Sequence, residues 1–252
     1  MAPLAEDGAV YSFSPASSTW SKLVPSTSSF PGARSYHAGT ASSTHLIIHA
    51  GCGDASAGRL KDTWLFDIAS RAWTQVAAGP GDTRGGTAIT YQDGRVWRNG
   101  GFNGKTEIGG AIDHLDLGNK HDLSTARWET VSFGETTGLS REDDTAALSG
   151  SKEGPGPRSV HALMPLAGKL VTFFGEGKPS PTGGHDSAGN FWPDVWSFEP
   201  ETGKWEELQV SGEKPKERGW FAATAAEGKV LIWGGIDASN ERLPDGWILS
   251  AQ

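Results

Sequence analysis

The chain has 252 residues, enough for one or two domains with a sizeable hydrophobic core. It contains 35 glycines, 14 prolines and 11 tryptophans but only two methionines, which excludes a helical bundle and is typical of turn-rich sheets. The formal net charge of −8 argues against a nucleic-acid partner, and the sequence lacks the run of about 18 apolar residues that a membrane helix requires. With a single cysteine and no leader-like start at residues 1–8, we expect a soluble, cytoplasmic protein.

Two kinds of predicted strand recur along the chain. Apolar runs that end in glycine turns predict buried strands, and they cover residues 46–53, 95–102, 169–177 and 229–236. An alternating segment with aromatic residues follows each run and predicts a second strand; these segments are 62–68, 111–117, 194–200 and 245–250, with a further copy at 11–15.

Single residues mark the rest of each repeat. A tryptophan opens another short strand in each unit, at Trp20, Trp73, Trp128 and Trp205. An arginine precedes the first strand of each following unit, at Arg34, Arg84, Arg158 and Arg218. The first three of these tryptophans are spaced about 50 residues apart, which is the length of one propeller blade. The later spacing is longer because residues 132–156 form a Gly, Ser, Thr and acid-rich insertion, which we interpret as a mobile loop.

Repeats of four strands predict an all-β fold, a β-propeller formed by one domain over residues 1–252. Each twisted sheet has two apolar faces and must stack on its neighbours around a channel, and we expect the tryptophan rings to fill the space between blades. Seventeen strands are predicted, which is too few for a large ring. Either the Trp20 strand completes the C-terminal blade and gives four blades, or the two ends form separate sheets and give five.

Longer stretches carry a resemblance to a known family. They are RSYH (34–37), AGCGDASAGRLKDTWLFD (50–67), FFGEGKPSPTGGHDSAGNFWPDVWSF (173–198), ERGWFA (217–222) and GGIDASNERLPDGW (234–247). In these stretches the chain resembles kelch-repeat propellers, and within them the branch of nitrile-specifier, epithiospecifier and thiocyanate-forming proteins and their microbial relatives. Members of that branch usually have six blades, so the resemblance implies a shortened kelch propeller, a ring that closes with fewer blades, or one completed by a second chain in a homodimer.

The resemblance also implies a metal site. Specifier proteins hold Fe(II) with a Glu, an Asp four residues later and a His four residues after that. Glu176 matches the family Glu, Ser180 stands in the place of the Asp, and His185 comes one residue late and is followed by Asp186. Imidazole and carboxylate groups suit Fe(II), so these residues form the candidate metal set, with Glu176 as a turn cap and His185 and Asp186 as ordinary loop residues in the alternative.

The residues around each repeated arginine supply the other candidates. The sequence after each arginine varies, and His37 and His161 are the candidate general acids or bases because imidazole titrates near neutral pH. Tyr36, Arg34 and Arg158 complete the candidate catalytic set, in which they would polarise a substrate oxygen. The candidate substrate-binding residues are Arg84, Arg98, Phe102, Phe191, Trp192, Arg218 and Trp220. In the alternative, the arginines tie adjacent blades together, the histidines bond to neighbouring backbone, and Arg98 pairs with an Asp.

These features lead to three hypotheses about function. The first is a lyase or isomerase of specialised metabolism that rearranges or cyclises an unstable organic intermediate at the loop face, with a small-molecule substrate and no cofactor. The second is a specifier-like lyase that depends on Fe(II). The third is a kelch protein-interaction module without catalysis. No nucleic-acid or membrane partner is expected under any of them.

Overall fold

A computed structural model describes residues 3, 5–118, 122–134, 137–140, 153–180 and 188–251. Regular structure within these ranges is almost entirely β-strand. Their one helical segment is the single 3-10 turn at Leu123–Thr125, so the described chain has no helix with the length and apolar character needed to cross a membrane.

The strands are numbered in chain order. The first eleven are β1 (Val10–Ser14), β2 (Thr19–Leu23), β3 (Ala38–Ala41), β4 (His45–Cys52), β5 (Arg59–Asp67), β6 (Trp73–Val76), β7 (Ala88–Gln92), β8 (Arg95–Asn99), β9 (Thr106–Ile108), β10 (Ala111–Asp116) and β11 (Trp128–Ser132). The remaining ten are β12 (Thr137–Ser140), β13 (Ala162–Leu166), β14 (Lys169–Phe173), β15 (Glu176–Lys178), β16 (Asn190–Phe191), β17 (Val195–Glu199), β18 (Lys204–Glu207), β19 (Ala222–Ala226), β20 (Lys229–Trp233) and β21 (Gly246–Ser250).

Four antiparallel sheets form the four blades of a propeller, as the sequence predicts. The first three blades have four strands each, in the orders β3-β4-β5-β6, β7-β8-β10-β11 and β13-β14-β17-β18, and the fourth has three, β19-β20-β21. The short strands β9, β12, β15 and β16 form two small sheets, β9 with β12 and β15 with β16. Strands β9, β15 and β16 lie in the loops that follow the second strands of the second and third blades, and β12 follows the fourth strand of the second blade. These loops lie together at one end of the propeller, and we call that end the loop face.

The hydrophobic core lies between blades rather than inside one sheet. Trp97 of the second blade packs against Phe198 of the third, and Trp205 packs on the other side of Phe198, with ring centroids 5.5 and 5.0 Å apart. Similar apolar clusters join the first blade to the second and the third blade to the fourth. Each blade therefore depends on its neighbours for burial of its apolar faces.

The N-terminal strands form a separate hairpin against the first blade. β2 pairs with β1, and the Trp73 indole donates a hydrogen bond of 2.7 Å to the Gly8 carbonyl. Of the two alternatives for the ends of the chain, the structure has separate sheets, and the Trp20 strand does not join the C-terminal blade. Trp73 and Trp205 are buried as expected, but Trp20 is 68% exposed because no described sheet covers its side of the hairpin.

The insertion at residues 132–156 contains one short strand in its described part. β12 pairs with β9 of the second blade. Residues 135–136 and 141–152 lie outside the described ranges, so the predicted mobility of this insertion stays a prediction.

Candidate functional site

Four residues, one from each blade, line the centre of the loop face. Each comes two residues after one of the repeated arginines, and they are Tyr36, Gly86, Val160 and Trp220. All four have a left-handed backbone, with φ of 52°, 62°, 47° and 53°. The Gly86 amide donates to the Tyr36 carbonyl, Val160 to Gly86, and Trp220 to Val160, at 3.0, 2.8 and 3.1 Å. This chain of hydrogen bonds holds the four blades around one central cavity.

The backbone of Val160 is strained. A positive φ is rare for a residue branched at Cβ and costs on the order of 1–3 kcal/mol. The conformation persists because the Val160 amide and carbonyl bond to the second and fourth blades, respectively. Strain of this kind commonly marks positions where the surrounding structure imposes a functional geometry.

The central cavity is narrow, with a volume of about 10 Å³, and its walls have mixed chemistry. Arg59 at the start of β5 provides a cation, and its guanidinium lies 4.9 Å from the centre of the Phe102 ring. Glu176 at the start of β15 provides a carboxyl group, and Tyr36 and Trp220 provide aromatic surface. Aromatic surface with a few convergent polar groups is typical of the lining of small-molecule sites, and this narrow cavity must widen to admit a ligand.

A second carboxyl group, that of Glu107 on β9, lies next to Glu176. The Glu107 side chain is fully buried, and within the described residues neither carboxyl oxygen makes a regular hydrogen bond. Burial raises the pKa of Glu107 well above its usual range, and the negative charge of Glu176 adds to this effect against the opposing influence of Ser159 and Arg59. Glu107 is therefore expected to hold a proton at a pH where an exposed glutamate has lost it.

Replacing Glu107 with glutamine should make the stability of the protein less dependent on pH. The raised pKa means that the folded state binds more protons than the unfolded state above pH 4.5, so the wild type loses stability as pH rises from there. Glu107→Gln removes the ionisable group that causes this loss of stability. The melting temperature of the variant should therefore exceed that of the wild type by a larger margin at pH 8 than at pH 5. Thermal unfolding at both pH values tests this, with exposed Glu227→Gln as the control, and an identical margin at both would contradict the raised pKa.

The metal set implied by the specifier resemblance has one member in the described structure. Glu176 is buried, and its Oε1 accepts a 2.7 Å hydrogen bond from the Gly189 amide, while His185 and Asp186 lie outside the described residues. No three His, Cys, Asp or Glu side chains come together among the residues described. The described part of the site therefore offers two carboxyl groups, Glu107 and Glu176, but not the facial set of three that Fe(II) prefers.

The two candidate histidines differ in environment. His37 is exposed, whereas both ring nitrogens of His161 are buried and, within the described chain, without a hydrogen-bond partner. Burial, helped by the charge of Arg158, lowers the pKa of His161 well below its usual range. The His161 imidazole is thus uncharged at neutral pH, and it packs closely against Gly100 and Gly175 rather than lining the cavity.

Three of the four repeated arginines form ion pairs with an aspartate of the same blade. The pairs are Arg34 with Asp62, Arg158 with Asp194, and Arg218 with Asp245, at 2.6, 2.7 and 2.5 Å. Each arginine also donates to a backbone carbonyl sixteen residues ahead. These contacts are structural, but they lie within one blade, whereas the structural alternative expected the arginines to tie adjacent blades together.

Arg84 and Arg98 lie together between the first and second blades. Arg98 is fully buried and pairs with Asp113 at 2.6 Å, and its guanidinium also contacts His49 Nε2 at 3.0 Å. Arg84 is buried as well, but its hydrogen bonds go to backbone carbonyls. The charge inserted in this central strand therefore has an aspartate partner, the second of the two alternatives for Arg98.

The aromatic candidates divide between the cavity and its support. Phe102 and Trp220 line the cavity, and Phe191 packs edge-on against Trp220 with ring centroids 6.1 Å apart. The Trp192 indole donates to the Pro157 carbonyl at 2.9 Å and lies over the Arg158 guanidinium. Phe191 and Trp192 thus stabilise the loops around the cavity and are not part of its wall.

Sequence reasoning missed Arg59 and Glu107. Both follow a glycine turn at the end of a second strand, in GCGDASAGR (51–59) and GGFNGKTE (100–107). Arg59 pairs with Cys52 and Glu107 with Phe102, the positions that correspond to Glu176 in the third blade. Comparison of these loops across repeats was the signal that could have identified them. A larger cavity of about 530 Å³ between the third and fourth blades has mostly apolar walls and lacks such a convergence of polar groups.

Comparison with known proteins finds relatives that share part of this sequence. The chain is 27% identical over 229 residues to N-(sulfonatooxy)prop-2-enimidothioate sulfolyase of Thlaspi arvense, a match that covers 84% of this chain and 61% of that protein. It is 31% identical over 143 residues to mouse Kelch domain-containing protein 1, covering 54% of this chain and 33% of the relative. The chain thus spans less than two thirds of the length of either relative.

Comparison of structures supports the same fold. The solved structure titled "Structure of YjhT" superposes with a TM-score of 0.69 at 16% identity, covering 97% of this chain and 73% of that one. No family model matches the sequence. Taken with the four blades, these similarities show a β-propeller fold, and its sequence is similar to those of a sulfolyase and of a kelch-domain protein.

Proposed function

We propose that the chain is a small-molecule enzyme of the lyase or isomerase type, and that it acts on an unstable organic intermediate in the loop-face cavity. The observation that carries this proposal is the convergence of Arg59, Glu176, Tyr36 and Trp220, from three blades, on a single cavity. Similarity to a sulfolyase supports the same reaction class. An exposed patch for a protein partner would not require a buried carboxyl pair at its centre.

The chemistry available in the cavity is positioning and proton transfer. Arg59 would hold a negatively charged group of the substrate, and the rings of Tyr36 and Trp220 would confine its apolar part. Glu176 faces the cavity with the protonated Glu107 behind it, so the pair can supply one proton to a leaving group or to a developing anion. The enzyme would direct breakdown or rearrangement by fixing one geometry of a compound that already reacts in water.

The test uses as its first substrate the compound after which the Thlaspi arvense sulfolyase is named. N-(sulfonatooxy)prop-2-enimidothioate, generated in solution, is incubated with wild type, and the organic products and sulfate are quantified against a reaction without protein. We expect the wild type to change the proportions of the organic products. Glu176→Gln should reduce that change by at least about tenfold, because loss of general acid catalysis typically costs 10²–10⁴ in rate.

Two controls separate catalysis from damage to the fold. Glu201→Gln changes an exposed turn residue and should retain the wild-type product pattern. Glu176→Gln should show an unchanged cooperative unfolding transition. The proposal fails if wild type and the protein-free reaction give the same products from this compound and from other anionic, reactive intermediates of similar size.

A second candidate is the Fe(II)-dependent specifier-like lyase, and the Glu107 and Glu176 carboxyl pair is the observation that favours it. A cation between the two groups would relieve their repulsion and remove the proton that Glu107 holds. In this version Glu176 binds the ion with His185 and Asp186. Anaerobic Fe(II) loading followed by desalting decides it: stoichiometric iron in wild type and none in Glu176→Gln or His185→Ala supports the metal site, and no iron in folded wild type removes it.

A further inference from the structure

The repeated arginine belongs to a three-residue motif in three of the four blades. Arg158 donates through both terminal nitrogens to the two carboxyl oxygens of Asp194, at 2.7 and 2.8 Å, and the Trp196 indole donates to the same carboxylate at 2.8 Å. The first and fourth blades repeat this arrangement with Arg34, Asp62 and Trp64, and with Arg218, Asp245 and Trp247.

The second blade lacks the aspartate of this motif. Strand pairing sets the correspondence between blades: His49 pairs with Thr63, Phe173 with Val195, and Asn99 with Ile112. The residues just before Thr63 and Val195 are Asp62 and Asp194, and the residue just before Ile112 is Ala111. Alanine thus stands where the other blades place the carboxylate that neutralises the arginine.

The other nearby carboxylate is already engaged. Asp113 occupies the position of Trp64 and Trp196 in the motif, and it accepts hydrogen bonds from Arg98 at 2.6 and 3.0 Å and from the Thr130 hydroxyl at 2.7 Å. Arg98 in turn contacts His49 and the Pro80 carbonyl. This network pairs Asp113 with Arg98 and leaves Arg84, within the described residues, without a bonded aspartate.

Arg84 is a buried cation without a carboxylate of its own in the described structure. Its side chain is 5% exposed, and its contacts are to the backbone carbonyls of Gly100 at 3.0 Å, Asp82 at 3.2 Å and Pro80 at 3.4 Å. Burial, followed by the charge of Arg98, lowers the pKa of Arg84, while Asp113 and Asp82 oppose this shift. Arginine stays charged at neutral pH, so the site retains a desolvated positive charge.

A cavity of about 330 Å³ occupies the space beside this charge. Arg84 and Arg98 line it together with Ala111, Asp113 and Ser132. Since Ala111 lacks the atoms that extend from Asp62 towards Arg34, the missing carboxylate corresponds to part of this empty volume. An anion that enters here would meet the free edge of a buried guanidinium.

We propose that this cavity between the first and second blades binds a small carboxylate, whose two oxygens take the place on Arg84 that Asp62, Asp194 and Asp245 take on the arginines of the other blades. The site is distinct from the loop-face cavity and does not depend on the function proposed above. A singly charged anion is favoured because Asp82 and Asp113 stand in the wall and would repel a second negative charge. A planar carboxylate also matches the fork of the guanidinium, as it does in the other three blades.

The test uses acetate as the probe and Ala111→Asp as the matched variant. Thermal unfolding is followed at pH 7 in increasing sodium acetate, with sodium chloride keeping the ionic strength constant. Acetate should raise the melting temperature of the wild type saturably, as expected for a ligand that binds the folded state. Ala111→Asp, which restores the motif, should melt higher than wild type in chloride and gain at most a tenth of the acetate effect.

A second measurement keeps the proposal testable if Ala111→Asp does not fold. In the wild type, acetate should shift the ¹⁵N–¹H side-chain signal of Arg84, assigned by its loss in Arg84→Lys, along a saturable curve, and it should leave that of Arg158 unchanged. An equal response of the two arginine signals, or none up to 100 mM acetate, would overturn the proposal. So would an acetate effect of the same size in wild type and in a folded Ala111→Asp.

Discussion

Replacing Asp194 with alanine should lower the free energy of unfolding by about 3–5 kcal/mol, since removal of one partner leaves the other as an uncompensated buried charge. Arg158 is fully buried, and Asp194 accepts hydrogen bonds from both of its terminal nitrogens and from the Trp196 indole. The Arg158 loop also bonds to the backbones of the second and third blades. The loss should therefore appear in the global unfolding transition, measured with urea.

The matched control is Asp245→Ala in the fourth blade. The contacts of Asp245 with Arg218 and Trp247 are equivalent, but its side chain is 39% exposed whereas that of Asp194 is 10% exposed. Water can replace part of the lost interaction there, so the cost should be at most about half of that for Asp194→Ala. Equal losses for the two variants would show that burial of the pair does not set its contribution.

Replacing Phe198 with alanine should cost a similar amount, about 3–5 kcal/mol, because it removes a large buried side chain from the interface between two blades. Phe198 is fully buried, and its ring contacts Trp97 of the second blade and Trp205 of its own. The rigid rings around it cannot close the space that alanine leaves. Chemical denaturation should show an earlier midpoint with little change in its slope.

The control for this prediction is Ile248→Ala on β21. Ile248 is 63% exposed, on the face of the fourth blade that no described sheet covers. Its loss should change the free energy of unfolding by less than about 1 kcal/mol. A cost for Ile248→Ala as large as for Phe198→Ala would mean that the outer face of the fourth blade is buried in solution, for example in a homodimer.

The repeat pattern could be predicted from the sequence because it records local requirements. Alternation of apolar and polar residues, glycine turns and a tryptophan at the start of each outer strand are conditions that every blade must meet for itself. The seventeen predicted strands are all present in the described structure, in the four blades and the N-terminal hairpin. The short strands β9, β12, β15 and β16 were missed because their pairing depends on loops from outside the repeat pattern.

The candidate site could be predicted only in part. Tyr36 and Trp220 were named because the residues after each arginine vary, and both line the central cavity. Arg59 and Glu107 were missed because each lies in a loop whose sequence is typical of turn chemistry. Their importance comes from neighbours on other blades: Phe102 lies under Arg59, and Glu176 lies beside Glu107.

The sequence by itself determined the all-β architecture, the blade repeat and the place of the arginine in each unit, since these follow from contacts within one blade. The tertiary structure decided which charges are paired and which are not. Ala111 and Asp62 both open the second kind of repeated segment, but only the folded structure shows that Asp62 pairs with Arg34 and that Arg84 is buried without an aspartate bonded to it in the described residues. Burial and charge pairing depend on distances between residues far apart in the chain, and those distances are set only when the blades pack.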